Sequence, residues 1–160
     1  MIKRFFILFL LSTILSTTGN YAQAVNPDSE KAKVKAVVDD FQKFWETKDM
    51  NLFSRIMAHD ADMVNYGSDE NGIFIGWDAL KDSIQKILQT IEKTKITVKN
   101  QFIKIDKDAN AAWFAEIWDW DLIYGGQPVK IQGQRFTGVL EKRNGNWVIV
   151  QFHNSVPVTQ

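Results

Sequence analysis

The chain has 160 residues, 19 basic and 19 acidic side chains and no cysteine, and 45% of it is hydrophobic. Without cysteine there are no disulfides, no thiolate metal sites and no lipid anchor through an N-terminal cysteine. No block of like charge stands out, which argues against nucleic acid and anionic membranes as partners.

In chain order, Lys3-Arg4 and the nearly unbroken apolar run from Phe5 to Leu15 have the charge and length of a secretory signal, too short to span a bilayer stably. Ala22-Gln23-Ala24 supplies a small-residue cleavage site, so residues 1–24 read as a signal peptide and residues 25–160 as one domain. An uncleaved anchor is the alternative. The expected location is secreted or periplasmic, with no membrane association after cleavage. Removing Lys3 and Arg4 leaves 17 basic residues against 19 acidic ones, a formal charge of −2.

Asn26-Pro27 reads as an N-cap with proline at the first helical position, and Val34, Val37, Val38, Phe41, Phe44 and Trp45 then recur along one helical stripe. Thr47-Lys48-Asp49 breaks this helix. Asp49 can cap a second, short one with Leu52, Phe53, Ile56 and Met57 on its apolar side. Asp62 to Tyr66 and Ile73-Phe74-Ile75 are short strand candidates around a polar turn at Ser68 to Gly72. A third helix is expected from about Trp77 to Lys93, with Leu80, Ile84, Ile87, Leu88 and Ile91 on one face.

The period then changes from 3.6 to 2. Ile96 and Val98 are in phase, whereas Ile103 and Ile105 have the opposite parity, so a bulge or bend near Asn100-Gln101 is expected to keep both pairs facing the core. Three longer strands follow, Ala111 to Tyr124, Val129 to Lys142 and Trp147 to Val156, separated by Gly125-Gly126 and Asn144-Gly145. Helix, helix, strand pair, helix and a four-stranded meander make an α+β arrangement with helices on one face of the sheet.

This order, the Gly76-Trp77-Asp78-Ala79-Leu80 entry to the third helix and the ending Asn144-Gly145-Asn146-Trp147 through Phe152-His153-Asn154-Ser155-Val156-Pro157 resemble the SnoaL-like group of the nuclear transport factor 2-like superfamily. The ending is also similar to the association domain of calcium/calmodulin-dependent protein kinase II. The resemblance covers about Lys31 to Pro157. It implies a cone-shaped, strongly bent antiparallel sheet of the nuclear transport factor 2-like or cystatin-like kind, with three N-terminal-half helices on the concave face. It also implies a ligand cavity inside the cone and a homodimer through the convex face. Function does not follow, because the superfamily holds isomerases, cyclases, dehydratases and non-catalytic modules.

If Asn144-Gly145 is a two-residue type I′ turn, Leu140 faces Ile149, Gly138 faces Gln151, Phe136 faces His153 and Gln134 faces Ser155, all on one side of the sheet. Val148, Val150 and Phe152 take the other. Gly125-Gly126 treated alike sets Glu116 against Arg135 and Asp121 against Lys130. That puts Ile117 and Asp119 on the His153 side, and Phe114, Glu116, Trp118 and Trp120 on the far one. A slip of one residue would exchange the two sets. With the resemblance, Trp45, Tyr66, Trp77, Ile117, Gln134, Phe136, Gln151 and His153 are the expected pocket, and Trp118, Trp120 and Val150 the interface. A sheet apolar on both faces, with helices for only one, itself calls for a partner.

His153 is the sharpest candidate for chemistry, since an imidazole on a cavity face can exchange a proton near neutral pH. Packing alone is the other reading of it. Asp119 on the same side, or Asp62 near the first strand, would complete an acid and base pair. Steroid isomerases of the superfamily carry their base where this chain has Asn65-Tyr66. His59, at the end of the second helix, reads as solvent-facing. Two isolated histidines give no metal site, and no Gly-rich phosphate loop or nucleophile elbow calls for a cofactor. Three readings remain open: a module binding a small, mostly apolar molecule; an isomerase, dehydratase or hydrolase using His153 and a carboxylate; and an oligomerisation domain.

Overall fold

Asn26 caps the first helix, α1 (Pro27–Thr47), by accepting at Oδ1 from the amides of Asp28 (3.0 Å) and Ser29 (3.3 Å), and Pro27 sits where no amide hydrogen is needed. The computed structural model describes residues 26–68 and 72–158, so the expected signal peptide and cleavage site, and Asp69-Glu70, fall outside the described residues. Val34, Val38, Phe41, Phe44 and Trp45 are buried along one side of α1. Lys48 ends it in the left-handed region (φ 57°), and Asp49 caps α2 (Met50–Ile56) through the amides of Asn51 and Leu52. The third helix, α3 (Trp77–Thr90), stops short of Lys93. From Ile91 onward Thr94, Ile96, Thr97 and Val98 are β-branched, and the chain turns straight into strand.

The strands β1 (Val64–Tyr66), β2 (Ile73–Ile75), β3 (Ile91–Ile105), β4 (Ala111–Tyr124), β5 (Gln127–Arg143) and β6 (Asn146–Ser155) form one sheet in the order β2-β1-β6-β5-β4-β3. The β3 to β6 meander is antiparallel, but β1 runs parallel to β6 through Tyr66 and His153, and Met57 makes a second parallel bridge to Ile149. Both hairpin turns carry two successive positive φ values, at Gly125-Gly126 and Asn144-Gly145, as a type I′ turn requires.

Four register shifts bend this sheet. Two interrupt the β3–β4 pairing, between Ile91 and Lys93 and between Lys99 and Phe102. At the latter, Asn100 takes φ 50°, and Ile96, Val98, Ile103 and Ile105 all pack against the core, as their parity requires. The third lies opposite Asp119, where Gly133 takes φ 70° on β5. The fourth inserts Val150 into β6 between the Leu140–Ile149 and Val139–Gln151 pairs.

The last two shifts correct the expected faces. Up to the Asn144-Gly145 side of the bulge the register is the expected one, with Leu140 against Ile149. Beyond it His153 pairs with Thr137, not Phe136, and Ser155 with Arg135, not Gln134. The extra residue swings Phe152 (4% exposed) and Asn154 inward and turns Gln151 and His153 outward. On β4, Asp121 faces Lys130 as expected, with an ion pair at 3.0 Å, but past Gly133 Glu116 faces Phe136 rather than Arg135. Phe114, Glu116, Trp118 and Trp120 are therefore buried on the concave side, and Ile117 and Asp119 lie on the convex side. Trp118 and Trp120 belong to the core rather than to an interface.

The helical layer is pinned by a buried carboxylate. Glu30 accepts from Lys33 (2.8 Å), from Lys142 (2.9 Å) and from the Trp147 indole (2.8 Å), joining the start of α1 to the β5–β6 hairpin. Lys33 first, then Lys142 and Trp147, hold its carboxyl down at about 2 against an ordinary 4.5. A depressed acid stabilises the fold above its unfolded value and loses that contribution as pH falls through the folded one. In thermal melts the Tm difference between wild type and Glu30→Gln should therefore be full near pH 6 and close between 4.5 and about 2. A difference that stays constant over that window would contradict this role.

Candidate functional site

The entry to α3 is set by Gly76. Its amide donates to Met63 O (2.8 Å), the next amide donates to Asp60 O (3.0 Å), and φ is 84°. A Cβ there would come within 2.8 Å of Ala61 O, so only glycine lets the helix start this close to the preceding loop. From that start, Leu80, Ile84 and Ile87 face the concave side of the sheet across an opening of about 290 Å³. Trp45 of α1, Trp120 and Leu122 of β4, Gln134 and Phe136 of β5, and Phe152 and Asn154 of β6 supply the opposite walls. Gly67, Ser68, Gly72 and Phe74 close it from the β1–β2 side. A larger depression of about 430 Å³ lies between the start of α1 and β3, edged by the charged Asp28, Lys31 and Lys35 as well as Phe102 and Ile103.

The lining is aromatic and aliphatic with a few neutral polar groups. Trp45 and Trp120 meet edge to face at 5.6 Å, and Gln134 Nε2 donates to Asn154 Oδ1 at 2.9 Å. Three buried polar atoms of the lining have no partner among the described residues: the indole nitrogens of Trp45 and Trp120, and Gln134 Oε1. Unpaired buried groups are uncommon in folded proteins and cost free energy unless a bound molecule or water satisfies them. No Asp, Glu, His, Lys or Arg is among the described residues that line the cavity.

Of the residues expected in the pocket, Trp45, Gln134 and Phe136 line it. Trp77, the first residue of α3, is stacked on His59 (4.2 Å) and lies near Phe53 (5.5 Å). Tyr66 and His153 touch edge to face at 6.4 Å on the exposed side of the sheet, with Gln151 and Ile117 on that side too. Asp62 is exposed in the turn before β1. Asp119 is committed to the bulge, accepting from the Gly133 amide (2.9 Å) and pairing with Lys99. Those two contacts, Lys99 foremost, hold its carboxyl below the ordinary carboxylate range. Asp119 is level with Gly133 and His153 with Thr137, four residues further along β5. At about 3.3 Å per residue that offset alone is roughly 13 Å. Among the described residues His153 makes no hydrogen bond or ion pair with Asp119, which is held by Gly133 and Lys99.

The buried carboxylate on the concave side is Glu116, which the sequence reading placed elsewhere. Burial pushes its carboxyl up, although Gln101 (2.9 Å) and the Trp118 indole (2.7 Å) donate to it. It does not line the cavity. Among the lining residues missed from sequence, Trp120, Phe152 and Asn154 follow from the two bulges. Gly133 within a strand was the available signal for one of them.

A family model described as a SnoaL-like domain matches residues 34–159. Among solved structures the chain is similar to a nuclear transport factor 2 (NTF2-like) superfamily protein from Salmonella enterica serovar Typhimurium, at 18% identity and a TM-score of 0.74, over 84% of this chain and 96% of that one. It is also similar to a candidate calcium/calmodulin dependent protein kinase II association domain from Xanthomonas campestris, at 22% identity and a TM-score of 0.66, over 79% and 87%. A third similarity is to a candidate dehydratase of the NTF2-like family from Streptomyces avermitilis, at 16% identity and a TM-score of 0.72, over 84% and 100%. At these identities the likeness is one of fold. No curated protein matches the chain.

Proposed function

Since the chain belongs to the SnoaL-like domain family, we propose that it is an exported module that binds a small, mostly apolar molecule in its cone, as a homodimer through the convex face of the sheet. The observation that carries this reading is the lining itself, aromatic and aliphatic walls around about 290 Å³ with no charged side chain among the described residues. An isomerase, dehydratase or hydrolase built on His153 with Asp119 or Asp62 needs those groups at one point of the cavity, and they lie outside it. For the dimer, the support is an apolar strip on the convex face. Trp113 (45% exposed) pairs in register with Val139 (37%), and Ile117, Val148 and Val150 are half-buried around them. For export, the support is the run from Lys3 to Ala24.

Binding is tested with N-phenyl-1-naphthylamine, a neutral apolar dye whose fluorescence rises out of water. Saturation at one dye per chain is expected. Ile87→Trp, which fills the cavity from the half-buried side of α3, should weaken the dye by about tenfold or more, or 1.4 kcal/mol. A signal that never saturates, or equal affinity in the variant, would remove the reading. Native mass spectrometry of protein recovered from its host should find a dimer whose chains start at Val25. A monomer or an intact N-terminus removes the corresponding part.

A further inference from the structure

Two amide side chains line the cavity. Gln134 and Asn154, on adjacent strands, spend one hydrogen bond on each other, Nε2 to Oδ1 at 2.9 Å. That leaves Gln134 Oε1 as a buried acceptor and Asn154 Nδ2 as a donor, neither with a partner among the described residues. Turning both amides over exchanges the roles and still leaves one donor and one acceptor. Gln134 is 6% exposed, and both side chains line the opening whose remaining walls include Trp45, Trp120, Phe136 and Phe152.

A group that both donates and accepts from a single atom fits this pair. We propose that the cavity selects an uncharged ligand whose apolar body carries a hydroxyl, an alcohol or a phenol, with the hydroxyl donating to one amide of the Gln134–Asn154 pair and accepting from the other. This rests on the cavity being a binding site. An ether in the same place can only accept, so the amide oxygen stays buried and unpaired; a hydrocarbon pairs with neither group. A carboxylate also only accepts, and it would enter without a cation among the described lining residues, which strongly disfavours the charged form.

Four probes of one shape separate these cases: 2-naphthol, 2-methoxynaphthalene, naphthalene and 2-naphthoate, each titrated at neutral pH against bound N-phenyl-1-naphthylamine. On the unmodified protein 2-naphthol should displace the dye at about tenfold lower concentration than 2-methoxynaphthalene or naphthalene. The anion 2-naphthoate should compete worst. In Gln134→Met and in Asn154→Leu the ratio of 2-naphthol to 2-methoxynaphthalene should fall towards one, and scoring the ratio cancels any general loss of affinity. If the dye binds but 2-naphthol and 2-methoxynaphthalene compete equally on the unmodified protein, or 2-naphthoate competes best, the hydroxyl proposal is overturned and the binding reading stands. If neither dye nor probes bind, both are overturned. The order of the four probes decides the matter even where a variant does not fold.

Discussion

Phe41→Ala should lower the free energy of unfolding by about 3 to 5 kcal/mol. The ring is fully buried on the sheet-facing side of α1 and meets three others, Phe152 at 5.2 Å, Trp118 at 5.5 Å and Phe136 at 6.1 Å. These come from three different strands, so Phe41 is the point at which the helix grips the whole curved sheet. The hole left by alanine cannot close cheaply. Trp118 is stacked on Phe136 at 3.9 Å and tied by its indole nitrogen to Glu116, and neither ring can swing into the space without breaking those contacts. Domains of this size have roughly 5 to 15 kcal/mol to lose. Urea unfolding followed by tryptophan fluorescence measures the change, and a loss below about 1 kcal/mol would show that α1 is not held this way.

Gly138→Ala should cost about 1 to 3 kcal/mol through crowding alone. A Cβ at this position would stand 2.5 Å from Phe114 Cε1 and 2.7 Å from the carbonyl oxygen of Gln151. The first neighbour is a ring that is itself 2% exposed, and the second is backbone just past the residue that bulges out of β6. Neither can give way by the several tenths of an ångström that a real methyl needs. The glycine is thus required by close approach and not by its own backbone angles. Thermal melts that place Gly138→Ala within a degree of wild type would mean that the bulge does not lie against Gly138.

Phe41 and Gly138 are held by contacts that only partly show in the sequence. Caps and turns were legible because each uses a residue type with a local reason to be there: Asn26 and Asp49 at helix starts, Gly125-Gly126 and Asn144-Gly145 at hairpins. The bulge at Asn100 was legible because Ile96 and Val98 fall out of phase with Ile103 and Ile105. The bulge at Val150 was not, because Val148-Ile149-Val150 is apolar on both sides and has no polar residue to mark a change of face. The Asp121–Lys130 pair set a correct register that holds only as far as Gly133, where the apparent Glu116–Arg135 pair was coincidental. One unseen residue in β5 and one in β6 were enough to send His153 and Asp119 out of the cavity and bring in Trp120, Phe152 and Asn154. The fold class survives such slips, since it depends on element order. The site does not, since it depends on parity.

The place of β6 has a consequence for how the molecule is made. It is the last of the described strands in chain order, yet it lies between β1 and β5 and is the strand that joins the early β1–β2 pair to the later meander. A nascent chain that has not yet released Asn146 to Ser155 therefore holds its sheet in two separate pieces. Closing it requires contacts such as Asn65 Oδ1 with the amide of Phe152, 87 residues apart. Such distant pairings are slow to form and leave apolar surface open meanwhile. This architecture is completed at its middle and not by adding strands to a growing edge.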